Sequence, residues 1–188
     1  LEGSYARSGL ITDVELYEDY PARYSADVSR RRRWVRGDWQ IAGWLLRHTP
    51  DVTGPRAANP LSLLSQWKLL DNLRRGLAPI ASLALLVLAW TLLTPAWWWT
   101  MVVVGAIVAP AAIASAVDFA RRPHGVPLAD HLRAASHAAA RRGAQIAFAL
   151  ACLPYEASFI AGAILRTHWR MLVSHRRLHE WTPSQDPD

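Results

Sequence analysis

Two long apolar runs without a charged residue constrain this fold more than any other feature of the sequence. They cover residues 77–93 and 96–117, and only Thr94 and Pro95 separate them. An α-helix rises about 1.5 Å per residue, so a run of roughly 17 to 22 apolar residues is long enough to cross the hydrocarbon core of a bilayer. The sequence therefore predicts two transmembrane helices joined by a tight turn.

Aromatic and basic residues around this hairpin predict its orientation. Tryptophans occupy positions 97–99, next to the turn, as is typical of a membrane–water interface. Arg74 and Arg75 precede the hairpin, Arg121 and Arg122 follow it, and the turn carries no charge. Because basic residues accumulate on the cytoplasmic side of membrane proteins, both flanks of the hairpin are expected in the cytoplasm.

A third apolar run, residues 144–165, is interrupted at its centre by Pro154 and Glu156. A carboxylate facing lipid is costly, and proline removes a hydrogen bond from the helix ladder. Arginines also stand on both sides of the run, which places both of its ends in the cytoplasm. We therefore expect a re-entrant or interfacial pair of half-helices, with one full span as the alternative.

The remaining sequence suits a membrane interface. Over half of the 188 residues are apolar, ten are tryptophan, and the formal net charge is +6. The lone Cys152 excludes an internal disulfide framework and a cysteine-based zinc site. The chain opens with neither an initiator methionine nor a signal-peptide pattern, so we expect an interior piece of a larger protein.

Periodicity predicts the elements of the polar segments. Val14 and Leu16 alternate with charged residues, as in a half-buried strand. Residues 33–46 have the spacing of an amphipathic helix that could lie on a membrane. A connector rich in Pro and Gly follows at 47–60, then a helix that finishes on Arg74 and Arg75, and a surface helix is expected at 127–142.

These elements predict a mainly α membrane protein with interfacial helices. The expected parts are a cytosolic segment with its interfacial helix (1–68), a transmembrane hairpin (69–118), a basic connector helix (119–143), a membrane-associated segment (144–170) and a cytosolic tail leading to a further domain (171–188).

The residues from Arg30 to Trp34 have the form Arg-x-x-Arg-Trp. This is the arginine version of the Gln/Arg-x-x-Arg-Trp signature of membrane-bound, processive glycosyltransferases. A guanidinium can hold the diphosphate of a nucleotide sugar through paired charge-assisted hydrogen bonds, and an indole offers a flat face to a sugar ring. Taken alone, such a run is more often a juxtamembrane patch attracted to anionic lipid.

A longer likeness gives the signature its context. Residues 5–46, which contain the signature, together with 59–79 and 153–183, resemble the cyclic β-1,2-glucan synthases, which are large glycosyltransferases of the bacterial inner membrane. The likeness extends over nearly the whole chain and is weakest between about residues 94 and 140, where the sequence is generically apolar.

The resemblance implies the C-terminal end of a GT-A type glycosyltransferase domain on the cytoplasmic side of a multi-pass protein. It implies inverting transfer of glucose from UDP-glucose to a growing β-1,2-glucan, and a divalent cation, Mg²⁺ or Mn²⁺, whose ligands lie before Leu1. Arg30, Arg33 and Trp34 match the signature, with Arg33 assigned to the diphosphate and Trp34 to the acceptor sugar. The general base is also expected before Leu1, so this segment alone should be inactive.

Two acidic residues are further candidates for the substrate site. Glu2 lies near the expected position of the general base, and Asp38 follows the signature closely enough to reach acceptor hydroxyls. Asp38 also has the helical spacing to pair with Arg36 or Arg33, which is a purely structural role. No set of residues in this sequence predicts a metal site.

Functions from two other classes compete with catalysis. A non-catalytic membrane anchor or transporter subunit would use the apolar spans and a basic juxtamembrane patch without needing Arg-x-x-Arg-Trp. A nucleic-acid-binding module would use the arginines for phosphates and the tryptophans for bases, but long uncharged spans argue against nucleic acid as a partner.

Overall fold

The structure is a computed structural model that describes residues 13–15, 23–49 and 57–176. Its helices are α1 (Tyr24–Gln40), α2 (Leu63–Thr91), α3 (Ala96–Ala120) and α4 (Leu128–Trp169). A 3-10 turn (Ala42–Leu45) follows α1, and a π-helical turn (Arg170–Ser174) extends α4. Two short strands, β1 (His48–Thr49) and β2 (Ala57–Ala58), form an antiparallel pair with His48 opposite Ala58. The mainly helical prediction is confirmed.

Three of these helices have the length and apolar composition needed to cross a membrane. They are Leu63–Thr91, Ala96–Ala120 and the continuous helical stretch Leu128–Ser174. Large apolar side chains on them face outward, among them Trp90, Trp97 and Ile113, each about two-thirds exposed. Outward apolar side chains are expected for helices whose surroundings are lipid rather than water.

The described residues fall into two compact units. The first contains the described residues up to Ala78 and those from Phe159 onward, and the second is Pro79–Ser158. The second unit holds residues 79–118 of the predicted hairpin, and a hydrogen bond joins its two helices near the turn. The indole of Trp90 on α2 donates to the hydroxyl of Thr100 on α3 at 3.1 Å.

The core of the second unit lies where α2, α3 and α4 meet. Leu86, Val103 and Leu153, one from each helix, form a buried cluster. Nearer the N-terminal end of α4, Arg142 donates to Asp118 at 2.6 Å and to the hydroxyl of Ser115 at 3.3 Å. These contacts place α4 antiparallel to α3.

In the first unit, α1 packs against the C-terminal end of α4. Ile160, Ala163 and Thr167 on α4 are buried at a spacing of three and four residues, which puts them on one helical face. Val28 is the buried residue of α1. At the far end of the contact, the rings of Trp39 and His168 meet edge to face, with their centres 5.1 Å apart.

The helix predicted over 33–46 differs from the one observed. Helix α1 already begins at Tyr24 and ends at Gln40, so the arginine run lies inside the helix instead of before it. The start of α1 before the arginine run is supported by Asp27 in the first turn, whose carboxylate accepts a hydrogen bond from Arg30 at 2.8 Å. The signature residues therefore take their spacing from a helix, which decides which of them face the same way.

The predicted helix end at Arg74 and Arg75 is wrong. Helix α2 is continuous from Leu63 to Thr91 and joins the segment before the first apolar run to that run. Both arginines are anchored along the helix to the carboxylate of Asp71, at 2.8 and 3.1 Å. Such pairs support a helix where the sequence pattern changes from amphipathic to apolar.

The predicted pair of half-helices over 144–165 is also wrong. Helix α4 passes through Pro154 without a break and joins this run to the connector predicted before it. Proline is tolerated in long apolar helices because neighbouring helices stabilise the chain around it, and Leu153 is packed in the core cluster. Glu156, whose cost in lipid favoured a break, is half-buried and engaged by another group of the protein.

The strand predicted around Val14 is not formed where the structure describes it. Residues 13–15 have no regular structure, and the side chain of Val14 is 58% exposed. A strand is stabilised mainly by the packing of its side chains, and a valine this exposed gains little from packing, so alternation alone does not produce a strand in these three residues. Leu16, the other apolar residue of this pattern, lies outside the described residues.

Candidate functional site

A basic cleft lies between α1 and the C-terminal end of α4, wholly within the first unit. Its first wall is the face of α1 that carries Ser29, Arg32, Arg33 and Arg36. Positions three, four and seven residues apart fall on one side of an α-helix, which is why these side chains face the same space. The cleft has a volume of about 280 Å³.

The second wall comes from α4 and the turn that extends it. Ala163, Arg166, Thr167 and Arg170 repeat the same helical spacing. Ala163 and Thr167 are almost fully buried, and the Thr167 hydroxyl donates to the carbonyl oxygen of Ala163 at 2.8 Å. The hydroxyl is therefore satisfied within the helix, and small side chains at the contact let the two helices approach each other.

The charge of the lining is strongly one-sided. Of the eight lining residues, five are arginines and none is acidic. Arginine carries a permanent charge and a planar fork of donors that matches the oxygens of a phosphate or carboxylate. This part of the described structure is therefore chemically suited to an anion with several oxygen acceptors.

Phe159 helps to fix the arginines of α1. This residue of α4 is 4% exposed, and the guanidinium carbons of Arg31 and Arg32 each lie 5.5 Å from the centre of its ring. A cation over an aromatic face at this distance is attracted by the ring quadrupole. The ring thus holds two neighbouring arginines, one of which lines the cleft.

The structure separates the three signature residues. Arg33 lines the cleft, whereas Arg30 and Trp34 are not among its lining residues. The Arg30 guanidinium pairs with Asp27 at 2.8 Å and lies 4.8 Å from the centre of the Trp34 ring. The Arg30 guanidinium lies against one face of the indole. Because the indole remains 59% exposed, its other face is available to a ligand.

Asp38 interacts with α2. The side-chain amide of Asn72 donates to its carboxylate at 3.3 Å. Partial burial raises the pKa of Asp38, although the Asn72 hydrogen bond and the positive charge of Arg75 act in the opposite direction. The carboxylate therefore has a structural neighbour on another helix and is less favourably ionised than an exposed aspartate.

Comparison with known proteins shows a relative of this chain. The chain is 37% identical, over 183 residues and 96% of its length, to the cyclic beta-(1,2)-glucan synthase NdvB of Rhizobium meliloti strain 1021. The chain is related to a segment of a cyclic β-1,2-glucan synthase. It spans 6% of the length of that relative, and no protein-family model matches it.

The family resemblance seen in the sequence is thereby confirmed along almost the whole chain. Arg30, Arg33 and Trp34 lie within the aligned portion of a glucan synthase relative, although the roles assigned to them remain predictions. Glu2 lies outside the described residues. Among the residues that the structure describes, no group of three or more His, Cys, Asp or Glu side chains could hold a metal ion.

Four of the five cleft arginines were not predicted from the sequence: Arg32, Arg36, Arg166 and Arg170. The spacing of Ser29, Arg32 and Arg36 would have revealed the first wall if the helix had been extended back through the arginine run. The second wall lies more than 120 residues further along the chain. Nothing in local spacing indicates that these two segments meet.

Proposed function

We propose that this chain forms part of a processive, inverting glycosyltransferase that transfers glucose from UDP-glucose to a growing β-1,2-glucan. The proposal is supported by the relationship to a cyclic β-1,2-glucan synthase and by the position of Arg33 in a cleft lined by arginines. The cleft is the observation that carries it, because a nucleotide sugar presents a diphosphate that needs such a partner.

In this proposal Arg33 binds the diphosphate of UDP-glucose. Negative charge develops on the UDP leaving group as the bond to the sugar breaks. A guanidinium within hydrogen-bonding distance stabilises that charge more strongly in the transition state than in the ground state, which accelerates transfer. Arg32 and Arg36 line the same wall and add positive potential there.

Trp34 is proposed to contact the acceptor glucan. Its indole is 59% exposed and can present an apolar face to the carbon–hydrogen bonds of a pyranose ring. Arg30 then acts by positioning, because its guanidinium lies against the ring and is fixed by Asp27. Asp38 and Glu2 remain candidates for contacts with sugar hydroxyls.

The residues that complete the reaction are proposed to lie before Leu1 in the full-length protein. They include the general base that deprotonates the acceptor hydroxyl and the ligands of a Mg²⁺ or Mn²⁺ ion. When bound, that ion would neutralise charge on the diphosphate. The site is proposed to face the cytoplasm at the inner membrane.

The test is incorporation of labelled glucose from UDP-glucose by membranes that contain the complete protein. Arg33→Ala should reduce incorporation by at least about a hundredfold, since removal of one such donor from a developing oxyanion typically costs that much. Arg133→Ala is the matched control, because Arg133 is an exposed arginine on α4 outside the cleft. Equal incorporation by the two variants would contradict the role of Arg33.

The same assay addresses the competing function. Membranes with intact, inserted protein that make no glucan would favour a non-catalytic anchor or transporter subunit. In that case the arginines of α1 would form a juxtamembrane patch attracted to anionic lipid.

A further inference from the structure

We propose that Arg166 and Arg170 form the second half of a phosphate-binding cleft whose first half is the arginine face of α1. The ligand class is an anion with phosphate oxygens. This inference goes beyond the proposed transfer reaction, because neither arginine belongs to the Arg-x-x-Arg-Trp signature. It shares Arg33 with the proposed function but does not require that glucose be transferred.

The arginines of α1 and those of α4 line one shared space. Arg166 and Arg170 are one helical turn apart and line the same cleft as Arg32, Arg33 and Arg36. Guanidinium groups therefore border one space of about 280 Å³ from two directions. An anion between the walls can accept hydrogen bonds from both helices, whereas an anion on a single basic helix contacts one side only.

Repulsion among the cleft arginines also favours the binding of an anion. Five like charges around one cleft repel one another, and the lining contributes no carboxylate to offset them. Arg33, Arg36 and Arg170 also interact with other groups of the protein, which reduces this cost. A bound phosphate relieves the repulsion between the walls, so binding is favoured by more than the new hydrogen bonds alone.

The position of the Arg166 guanidinium next to Gly162 favours binding as well. Gly162 lies one turn before it, and a Cβ atom at Gly162 would be 3.6 Å from the Nη2 atom of Arg166. The guanidinium therefore lies over the glycine, in space that a larger side chain would occupy. Helix α4 thus holds this guanidinium against its own surface beside the cleft, which lowers the entropy lost when a ligand binds.

Two sources can supply a phosphate of this kind. One is a soluble diphosphate such as the one in UDP, and the other is the headgroup of an anionic phospholipid. The chemistry at the arginines is the same for both. The experiment therefore has one arm for each source.

The first arm measures binding of inorganic pyrophosphate to the complete protein in neutral detergent by isothermal titration calorimetry. Arg166→Gln combined with Arg170→Gln should raise the Kd at least about tenfold, because charge-assisted contacts of this kind are worth that much or more. Arg133→Gln with Arg141→Gln removes the same charge from exposed positions of α4 and should leave the Kd unchanged.

The second arm measures how much phosphatidylglycerol stays with the protein after purification from mixed nanodiscs of phosphatidylglycerol and phosphatidylcholine. The cleft variant should retain less of the anionic lipid than the control variant if the lipid is the ligand. A loss in either arm supports the proposal and names the source. Equal binding in both arms by wild type, cleft variant and control variant would overturn it, as would a wild type that binds neither ligand.

A pair of substitutions without charge change guards against a variant that simply misfolds. Gly162→Ala puts a methyl group at ordinary contact distance from Arg166 and should leave binding unchanged. Gly162→Leu should displace the guanidinium and weaken binding of the same ligand. Failure of this inference is distinct from failure of the proposed function: glucose incorporation would still depend on Arg33 while Arg166 and Arg170 had no effect on anion binding.

Discussion

The contact between Phe159 and the arginines of α1 allows a quantitative test of how the first unit is held together. Phe159 is 4% exposed, so its replacement by alanine removes nearly all of a buried aromatic side chain. Such replacements cost about 3–5 kcal/mol, which includes the cavity that is left. The two guanidinium groups at 5.5 Å add about 0.5–1 kcal/mol each. Phe159→Ala should therefore lower the free energy of local opening of α1 by at least about 3 kcal/mol.

Hydrogen exchange followed by mass spectrometry measures this quantity in the complete protein. Amides of α1 exchange when the helix opens locally, so a loss of 3 kcal/mol should accelerate their exchange roughly a hundredfold. Phe148→Ala is the matched control, because Phe148 lies on the same helix and is 56% exposed. The reasoning is refuted if α1 exchanges at the same rate in both variants.

A second substitution separates the ring from its volume. Phe159→Leu keeps most of the apolar contact but removes the aromatic face, so it should cost about 1–2 kcal/mol more than an ordinary conservative core replacement. Part of that cost should disappear in a background that carries Arg32→Gln. Strict additivity of the two changes would show that the ring and this guanidinium do not stabilise each other.

Two further outcomes follow from side-chain contacts on other helices. Asp118→Asn and Arg142→Gln should show a coupling energy of about 1 kcal/mol or more in a double-mutant cycle, because the two charged groups are 2.6 Å apart and only partly exposed. The cycle is measured from hydrogen exchange of the α3 amides. Strictly additive effects would argue against the ion pair. Asp38→Asn should leave α1 as stable at pH 7 as the wild type, or slightly more so. Burial raises the pKa of Asp38, so the folded state holds this proton more tightly than the unfolded state does. The wild type should therefore gain stability as the pH falls through that pKa, and the Asp38→Asn variant should not. A marked loss of protection of the α1 amides at pH 7 in the variant would contradict this.

The two apolar helices of the hairpin were predictable from sequence, because they depend on properties that are local and strong. Residues 96–117 contain no charge, and the observed helix, Ala96–Ala120, extends three residues past the predicted end. A long run without charge leaves few alternatives to a helix in lipid. The membrane orientation read from the flanking arginines stays a prediction.

The helix ends were harder to predict, because tertiary packing overrides local breakers. Pro154 suggested a break, yet α4 continues through it, since its neighbours Leu153 and Ala157 are buried and hold the backbone on course. Arg75 suggested a helix end at the membrane surface, yet its ion pair with Asp71 supports the turn that continues α2. In both places a residue that disfavours the helix alone is accommodated by its surroundings.

The candidate site was only half predictable. Arg33 was identified from a five-residue pattern, but the pattern also grouped it with Arg30 and Trp34, which are not among the residues that line the cleft. A signature records which residues occur together in sequence and not which share a surface. The arginines of α4 belong to the site through a contact between distant segments, and such contacts have no local signal.

The composition of the cleft also determines how its binding will respond to acidity. Among the described residues that line it, arginine is the only ionisable type, and the guanidinium of arginine keeps its charge throughout the range in which phosphates titrate. Any pH dependence of binding must therefore come from the ligand. A terminal phosphate takes up a proton near about pH 6, so its affinity should fall below that value. A phosphodiester headgroup keeps its single charge throughout that range, and so does each esterified phosphate of UDP-glucose, so both should bind with a flat profile. An acid titration therefore distinguishes a ligand with a terminal phosphate, such as pyrophosphate or free UDP, from a fully esterified one.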